Sequence, residues 1–271
     1  MIVFSTQSHA LKVMTFNTMC DFCNGSNFFE FDKRSQSLQK IIEADDLDII
    51  ALQEVRSYEQ IKQLTKGLPD YQVFSNNDGF ISYADPTIIV KKSYQILEKG
   101  QFWLGPNEGK FSFGWKFALP RQVLWVKLKK DDNIFYFVTS HFDNRVENLA
   151  GSAEMLRTFF QNKKYPVIFA ADTNLTKKMD SYQTLLGDFF ENTYEMKESF
   201  LVKGIKLKER DLCYKRKGKK FPSCKVDHVL ISKNAPFKVK EFKVDLTKFG
   251  GEFPSDHRPI IVTFQVLKQR P

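Results

Sequence analysis

Asn17, Glu54, His141, Asp172 and Asn174 each stand where a run of strand-forming residues stops. Asp227, Asp256 and His257 stand where such a run begins. These are amides, carboxylates and two imidazoles, a set rich in oxygen donors. Oxygen donors suit a hard divalent cation, Mg²⁺ or Mn²⁺, and the Cys/His set expected for zinc is missing. A metal beside carboxylates and histidines can neutralise a phosphate, align a water and protonate a leaving oxygen, which is the equipment for hydrolysing a phosphoester. No Ser, Thr or Cys stands in a recognisable nucleophile motif, so direct attack by water is expected. One such residue alone is ordinary turn chemistry; eight at one edge point to a cleft.

For these side chains to meet, the elements carrying them must be arranged suitably. Short runs of β-branched and aromatic residues predict strands over "LKVMTFN", "LDIIALQEV", "PTIIVKK", "QVLWVKLKK", "IFYFVTSHF", "PVIFAADTN", "VDHVLIS" and "PIIVTFQVL". "RSQSLQKIIEA", "SYEQIKQLTKGL" and "NLAGSAEMLRTFFQNK" carry helical spacing. If the two late strands run opposite to the others, all eight polar groups collect at one edge of the sheets, beyond the strand ends. There is no Gly-rich phosphate loop, internal repeat or Gly/Ser linker, which argues against a Rossmann or P-loop domain and for a single domain over residues 11–271.

The chain has 271 residues, 42% of them hydrophobic, and carries a net charge of +9. Its longest apolar runs are too short to span a bilayer. Residues 201–225 hold ten Lys or Arg, Lys215, Arg216 and Lys217 among them, against two acids. Either a solvated hairpin or an anion-binding surface explains this run. Cys213 and Cys224 flank it at hairpin spacing that suits a disulfide and hence an oxidising compartment. Cys20 and Cys23 form a lone C-x-x-C, a weak signal for zinc or redox chemistry. Ser8-His9-Ala10 has the small-x-Ala pattern of a signal-peptidase site, so residues 1–10 are expected to be the remnant of an export signal on a secreted or periplasmic protein. An ordinary terminus of a cytoplasmic protein is the alternative.

The order "VMTFN", "IIALQEV", "FVTSHFDN", "VIFAADTN", "KVDHVLIS", "FPSDHRPI" resembles the endonuclease/exonuclease/phosphatase superfamily, the deoxyribonuclease I-like fold. The resemblance runs from about Leu11 to Val266. It implies an α/β (α+β) four-layer sandwich, with two mixed β-sheets face to face and helices on both outer sides. It also implies roles. Glu54 would be the principal metal ligand, with Asn17 beside it and Asp256 helping to hold the ion. Asp172 would activate water and Asn174 would bind phosphate. His257, paired with Asp227, would contact the scissile phosphate. His141 would be a second acid/base, with Asp85 as its candidate carboxylate, and Arg121 would steady substrate phosphate. Ala171 replaces the family's usual glycine and Lys225 its usual arginine, while His228 receives no family role and reads as a structural strand histidine.

The superfamily hydrolyses nucleic acids, inositol phosphates and sphingomyelin, so these motifs do not name the substrate. The basic segment, with Tyr214 and Phe221 among its cations, favours a nuclease acting on DNA or RNA. A phosphatase or phosphodiesterase for a phospholipid or small phosphorylated molecule is the alternative. No protein partner is legible, and a monomer is expected.

Overall fold

Fourteen strands and four helices occupy the described residues of the computed structural model: 10–20, 31–75, 85–107, 110–196, 213–214, 223–224, 226–233 and 235–267. One six-stranded sheet is built from β1 (Ala10–Asn17), β2 (Ile49–Gln53), β3 (Tyr71–Ser75), β4 (Thr87–Lys91), β13 (Phe237–Val244) and β14 (Ile260–Val266), in the order β13-β14-β1-β2-β4-β3. The other contains β5 (Gln95–Trp103), β6 (Gln122–Lys130), β7 (Asn133–Ser140), β8 (Val167–Asp172), β9 (Phe190–Asn192) and β12 (Asp227–Ser232), in the order β5-β6-β7-β8-β12-β9. Both are mixed, since β1 runs parallel to β2 and β7 to β8, whereas β14 is antiparallel to β1 and β12 to β8. The late strands therefore do run opposite to their neighbours.

Strand parity decides what each face buries. Leu11, Val13, Ile49, Ala51, Phe137, Ile168, Ala170 and Val229 form the core between the sheets. Their alternates point outward and receive the helices. Met14, Phe16, Ile50 and Leu52 meet α1 (Phe31–Glu43) and α2 (Tyr58–Leu64), while Val138, Phe169 and Leu230 meet α3 (Val146–Phe160) and α4 (Asp180–Leu186). The result is the four-layer sandwich. Truncating a fully buried inward ring such as Phe137 costs about 3–5 kcal/mol. At α2 the side chain of Ser57 caps the helix by accepting from Gln60 N, and Gln60 Oε1 accepts from Arg56 N.

The same parity positions the site. Counting on by twos from the inward core residues leads to Asn17 on β1 and Asp172 on β8, to His141 just past β7, and back to Asp227 at the start of β12. Just below them Gln53 Nε2 donates to Thr15 Oγ1 and Thr139 Oγ1, both at 3.2 Å, a buried polar layer that ties the two sheets together. No helix among the described residues is long and apolar enough to cross a membrane. β10 (Cys213–Tyr214) and β11 (Ser223–Cys224) pair in antiparallel register, Cys213 opposite Cys224. Lys215, Arg216, Lys217, Cys23 and residues 1–9 lie outside the described residues.

Candidate active site

β2 ends one residue before Glu54, whose φ of +63° is left-handed. That conformation costs a non-glycine residue about 1–2 kcal/mol, and it turns the carboxylate across the mouth of the sandwich. Backbone bonds hold it there, with Glu54 N donating to Asp85 Oδ1 at 2.9 Å and Cys20 N donating to Glu54 Oε2 at 2.6 Å. Asn17 Nδ2 donates to Glu54 Oε1 at 3.0 Å and to Asp172 Oδ2 at 2.9 Å, while Asn17 Oδ1 accepts from Met19 N. Its amide hydrogens thus order the two carboxylates, while its oxygen, bonded once to the backbone, keeps a second lone pair.

Two histidine–carboxylate pairs flank Asp172. His257 Nδ1 lies 2.8 Å from Asp227 Oδ2, and His141 Nδ1 lies 3.0 Å from Asp85 Oδ2. Each ring turns its Nε2 toward Asp172 Oδ2, at 3.7 Å from His257 and 3.6 Å from His141. Burial alone would push the His257 imidazolium down, but Asp227, then Asp172, outweigh it and raise it to about 10. His257 is therefore a cation at neutral pH. Burial drives Asp227 up to about 6 against the pull of His257. Asp85 and Asp172 are buried too, yet both are held below the usual carboxylate range. The histidines beside them do most of this, helped by Arg121 at Asp85 and Asn17 at Asp172.

Arg121 stands beside the second pair. Its Nη1 sits 2.7 Å from His141 Nδ1 and 3.4 Å from Asp85 Oδ2, so its charge lies against that pair. Asn174, at φ +52°, donates its backbone N–H to Asp172 Oδ1 and one Nδ2 hydrogen to Phe142 O. The second Nδ2 hydrogen is the one suited to a phosphate oxygen. His228 lies outside the site: Nε2 meets Leu175 O at 2.8 Å, and the ring packs beside Tyr182. Ala171, buried on β8, is not among the positive-φ residues, so the family's glycine is not needed there.

Two site-builders escape a motif reading. Arg34, buried in α1, donates to Thr18 O and Met19 O at 2.6 Å and to Pro254 O at 2.7 Å. It thereby clamps the loop after Asn17 to the loop carrying Asp256 and His257. A signal was present, because Arg34 precedes Leu38 by four residues and Ile41 by seven, on the helix stripe that must face inward. Ser255 donates to Asn17 O at 2.7 Å and accepts from His257 N at 3.1 Å. It stands inside "FPSDHRPI", where the resemblance assigns roles to Asp256 and His257 and none to the serine.

The centre fits a divalent cation on charge. Glu54, Asp85, Asp172, Asp227 and Asp256 face Arg121, His141 and His257, so two negative charges remain even with both imidazoles protonated. Asp172, Asp227 and His257 offer ligand atoms within 4.8 Å of one another, with His257 Nδ1 already 2.8 Å from Asp227 Oδ2. The carboxylate oxygens of Glu54 and Asp256 are donors of the kind a hard divalent cation takes.

The model of the endonuclease/exonuclease/phosphatase family matches residues 14–257. Among solved structures, a family member from Bacteroides thetaiotaomicron aligns with TM-score 0.82 and 23% identity over 97% of this chain and 100% of that one. A mannosyl-6-phosphatase of the same organism aligns with TM-score 0.75 and 22% identity, over 94% of this chain and 99% of that one. TDP2 of D. rerio complexed with a single-strand DNA product aligns with TM-score 0.71 and 21% identity, over 94% and 98%. No curated protein matches the chain.

Proposed function

Because the chain belongs to the endonuclease/exonuclease/phosphatase family, we propose that it is a Mg²⁺- or Mn²⁺-dependent phosphodiesterase that cuts DNA or RNA by direct attack of water. The observation carrying this reading is the approach of two oppositely supported imidazoles to one oxygen of Asp172, at 3.6 and 3.7 Å. Glu54 and Asp256 would hold the metal, whose chemistry is to neutralise the phosphate and acidify what is bound to it. The protonated His257, fixed by Asp227, would donate Nε2–H to a non-bridging phosphate oxygen and stabilise the charge that grows there. Asp172 would orient the water and accept its proton as the new P–O bond forms. His141, held by Asp85 through Nδ1, would deliver a proton from Nε2 to the departing oxygen. The net charge of +9 suits a polyanionic substrate.

A second reading, a phosphatase for a small phosphorylated molecule, draws support from the likeness to the mannosyl-6-phosphatase. One experiment tests both. Plasmid DNA, single-stranded DNA, RNA, a phosphoinositide, sphingomyelin and a hexose 6-phosphate are incubated with purified protein, in Mg²⁺ and in chelator. Metal-dependent cleavage of nucleic acid is expected. Turnover of the hexose phosphate alone would install the second reading, and inertness on all six would sink both.

We also infer export from the cell. Cys213 and Cys224 are register partners, and a disulfide between them needs an oxidising compartment. Peptide masses under non-reducing conditions that show both thiols free would count against it.

A further inference from the structure

The segment between β5 and β6 carries a row of aromatic rings that the chemistry above does not use. Trp103 meets Phe111 edge-on at 4.9 Å, Phe111 meets Phe113 edge-on at 5.2 Å, and Phe113 stacks on Phe117 at 5.0 Å with 24° between planes. The inner end is buried, with Trp103 only 6% exposed, while Phe117 is 76% exposed. Large apolar rings left in water are costly and mark a surface built to be covered.

The row begins at the catalytic centre. Trp103 pairs in register with Gln122, whose Nε2 donates to Asp85 O at 3.0 Å. The neck of the segment is closed by Leu104 N donating to Arg121 O, and Arg121 touches His141. The rings are also pre-set. Asn148 of α3 accepts from Lys116 N and donates to Lys116 O, Gly114 N donates to Ser112 Oγ, and Ala118 N donates to Phe113 O. At Gly151 of α3 a Cβ would come within 2.5 Å of the Trp115 ring, so the missing side chain lets this segment sit down on the helix.

We propose that Phe111, Phe113 and Phe117, anchored at the inner end by the buried Trp103, form a stacking platform for the bases of a single-stranded nucleic acid whose phosphate enters the catalytic centre. The inference rests on the phosphodiesterase reading and names its substrate as single-stranded. Base stacking on fixed aromatic rings is tolerant of sequence and works together with cations that hold the backbone. Here Lys110 and Lys116 lie within the segment itself, Lys116 shared with Glu147 at 3.1 Å, and the chain as a whole carries +9, mostly in residues 201–225. A rigid row leading out of a catalytic cleft suits a strand that must thread into it. A membrane-inserting loop would instead stand clear of the cleft.

Binding is measured in chelator, so that hydrolysis plays no part, by anisotropy of a labelled oligo(dT) and of an abasic deoxyribose-phosphate strand of equal length. Wild type should bind oligo(dT) at least roughly tenfold more tightly, the scale of one or more stacked bases. In F113A/F117A that preference should vanish, with abasic-strand affinity and the thermal midpoint unchanged. Equal wild-type affinity for both strands overturns the platform. So does a variant that weakens both strands alike, or one that keeps the preference. Wild-type binding to phosphatidylserine vesicles that F113A/F117A abolishes, without a base preference, would replace the platform with a lipid contact. Base preference without any metal-dependent hydrolysis would leave the platform standing and remove the phosphodiesterase reading.

Discussion

The amide of Asn17, at the end of β1 in one sheet, holds the carboxylate of Asp172, at the end of β8 in the other, through a 2.9 Å hydrogen bond. A second bond from the same nitrogen reaches Glu54. One side chain thus fixes the spacing between the candidate metal ligand and the group that orients water. Asn17→Ala should lower activity about 10–100-fold, the usual loss when a group ordering a metal ligand is removed. Part of that loss should be recovered at higher Mg²⁺. A metal titration of the rate checks it, and a wild-type half-saturation concentration in the variant would contradict the ordering role.

The Asp227–His257 pair sets an alkaline limit. With the imidazolium raised from 6.5 to about 10, the pair stabilises the fold fully below pH 6.5, and its contribution is lost as pH climbs through 10. In metal-free protein the His257 ring signals in NMR should titrate far above neutrality. Asp227→Asn should move that midpoint down, and the alkaline limb of the rate with it. A ring that titrates near 6.5 in wild type would refute the assignment.

Removing the metal should silence the enzyme without unfolding it, because the carboxylates are held by hydrogen bonds to the chain. Mg²⁺ at a hundred times its dissociation constant should stabilise wild type by about 2.7 kcal/mol. Glu54→Gln should forfeit most of that. Thermal denaturation of both proteins with and without Mg²⁺ measures it, and an equal rise in the two would exclude Glu54 as a ligand.

Arg34 makes three buried bonds to carbonyls of two loops. Its replacement by Leu leaves those oxygens unsatisfied, at about 1–3 kcal/mol for a buried polar group. Urea denaturation should show a loss of at least that size, and activity should fall as the loop bearing Asp256 and His257 loosens. Unchanged stability would mean that water replaces the guanidinium.

Gly151→Ala tests the seat of the aromatic segment. The methyl would meet the Trp115 ring at 2.5 Å, an overpacking that costs about 1–3 kcal/mol, against a helix-propensity gain of at most about 1 kcal/mol. Net destabilisation is expected by urea denaturation, with a shift in Trp fluorescence. A more stable variant would show that the ring moves aside freely.

Much of this site was legible from strand ends alone. Asn17 and Asp172 close, and Asp227 opens, runs of strand-forming residues, and the two-residue repeat of a strand sets all three on the face of the inner core residues. His141 follows β7 on the same parity. The resemblance added Asp85, whose carboxylate lies 3.0 Å from His141 across 56 positions of sequence. What the chain order could not reveal is which atoms each group uses. Asn17 turns its nitrogen to Glu54 and Asp172, and Arg121 sets its Nη1 against His141. Those choices depend on partners such as Asp172 for Asn17 and Asp85 for His141, brought near only by folding. Local pattern fixes which face of a strand or helix a residue occupies, because the backbone repeat is local. Hydrogen-bond partners and shifted pKa values belong to the packed sandwich, because they are set by groups that lie far apart in the chain and meet only there.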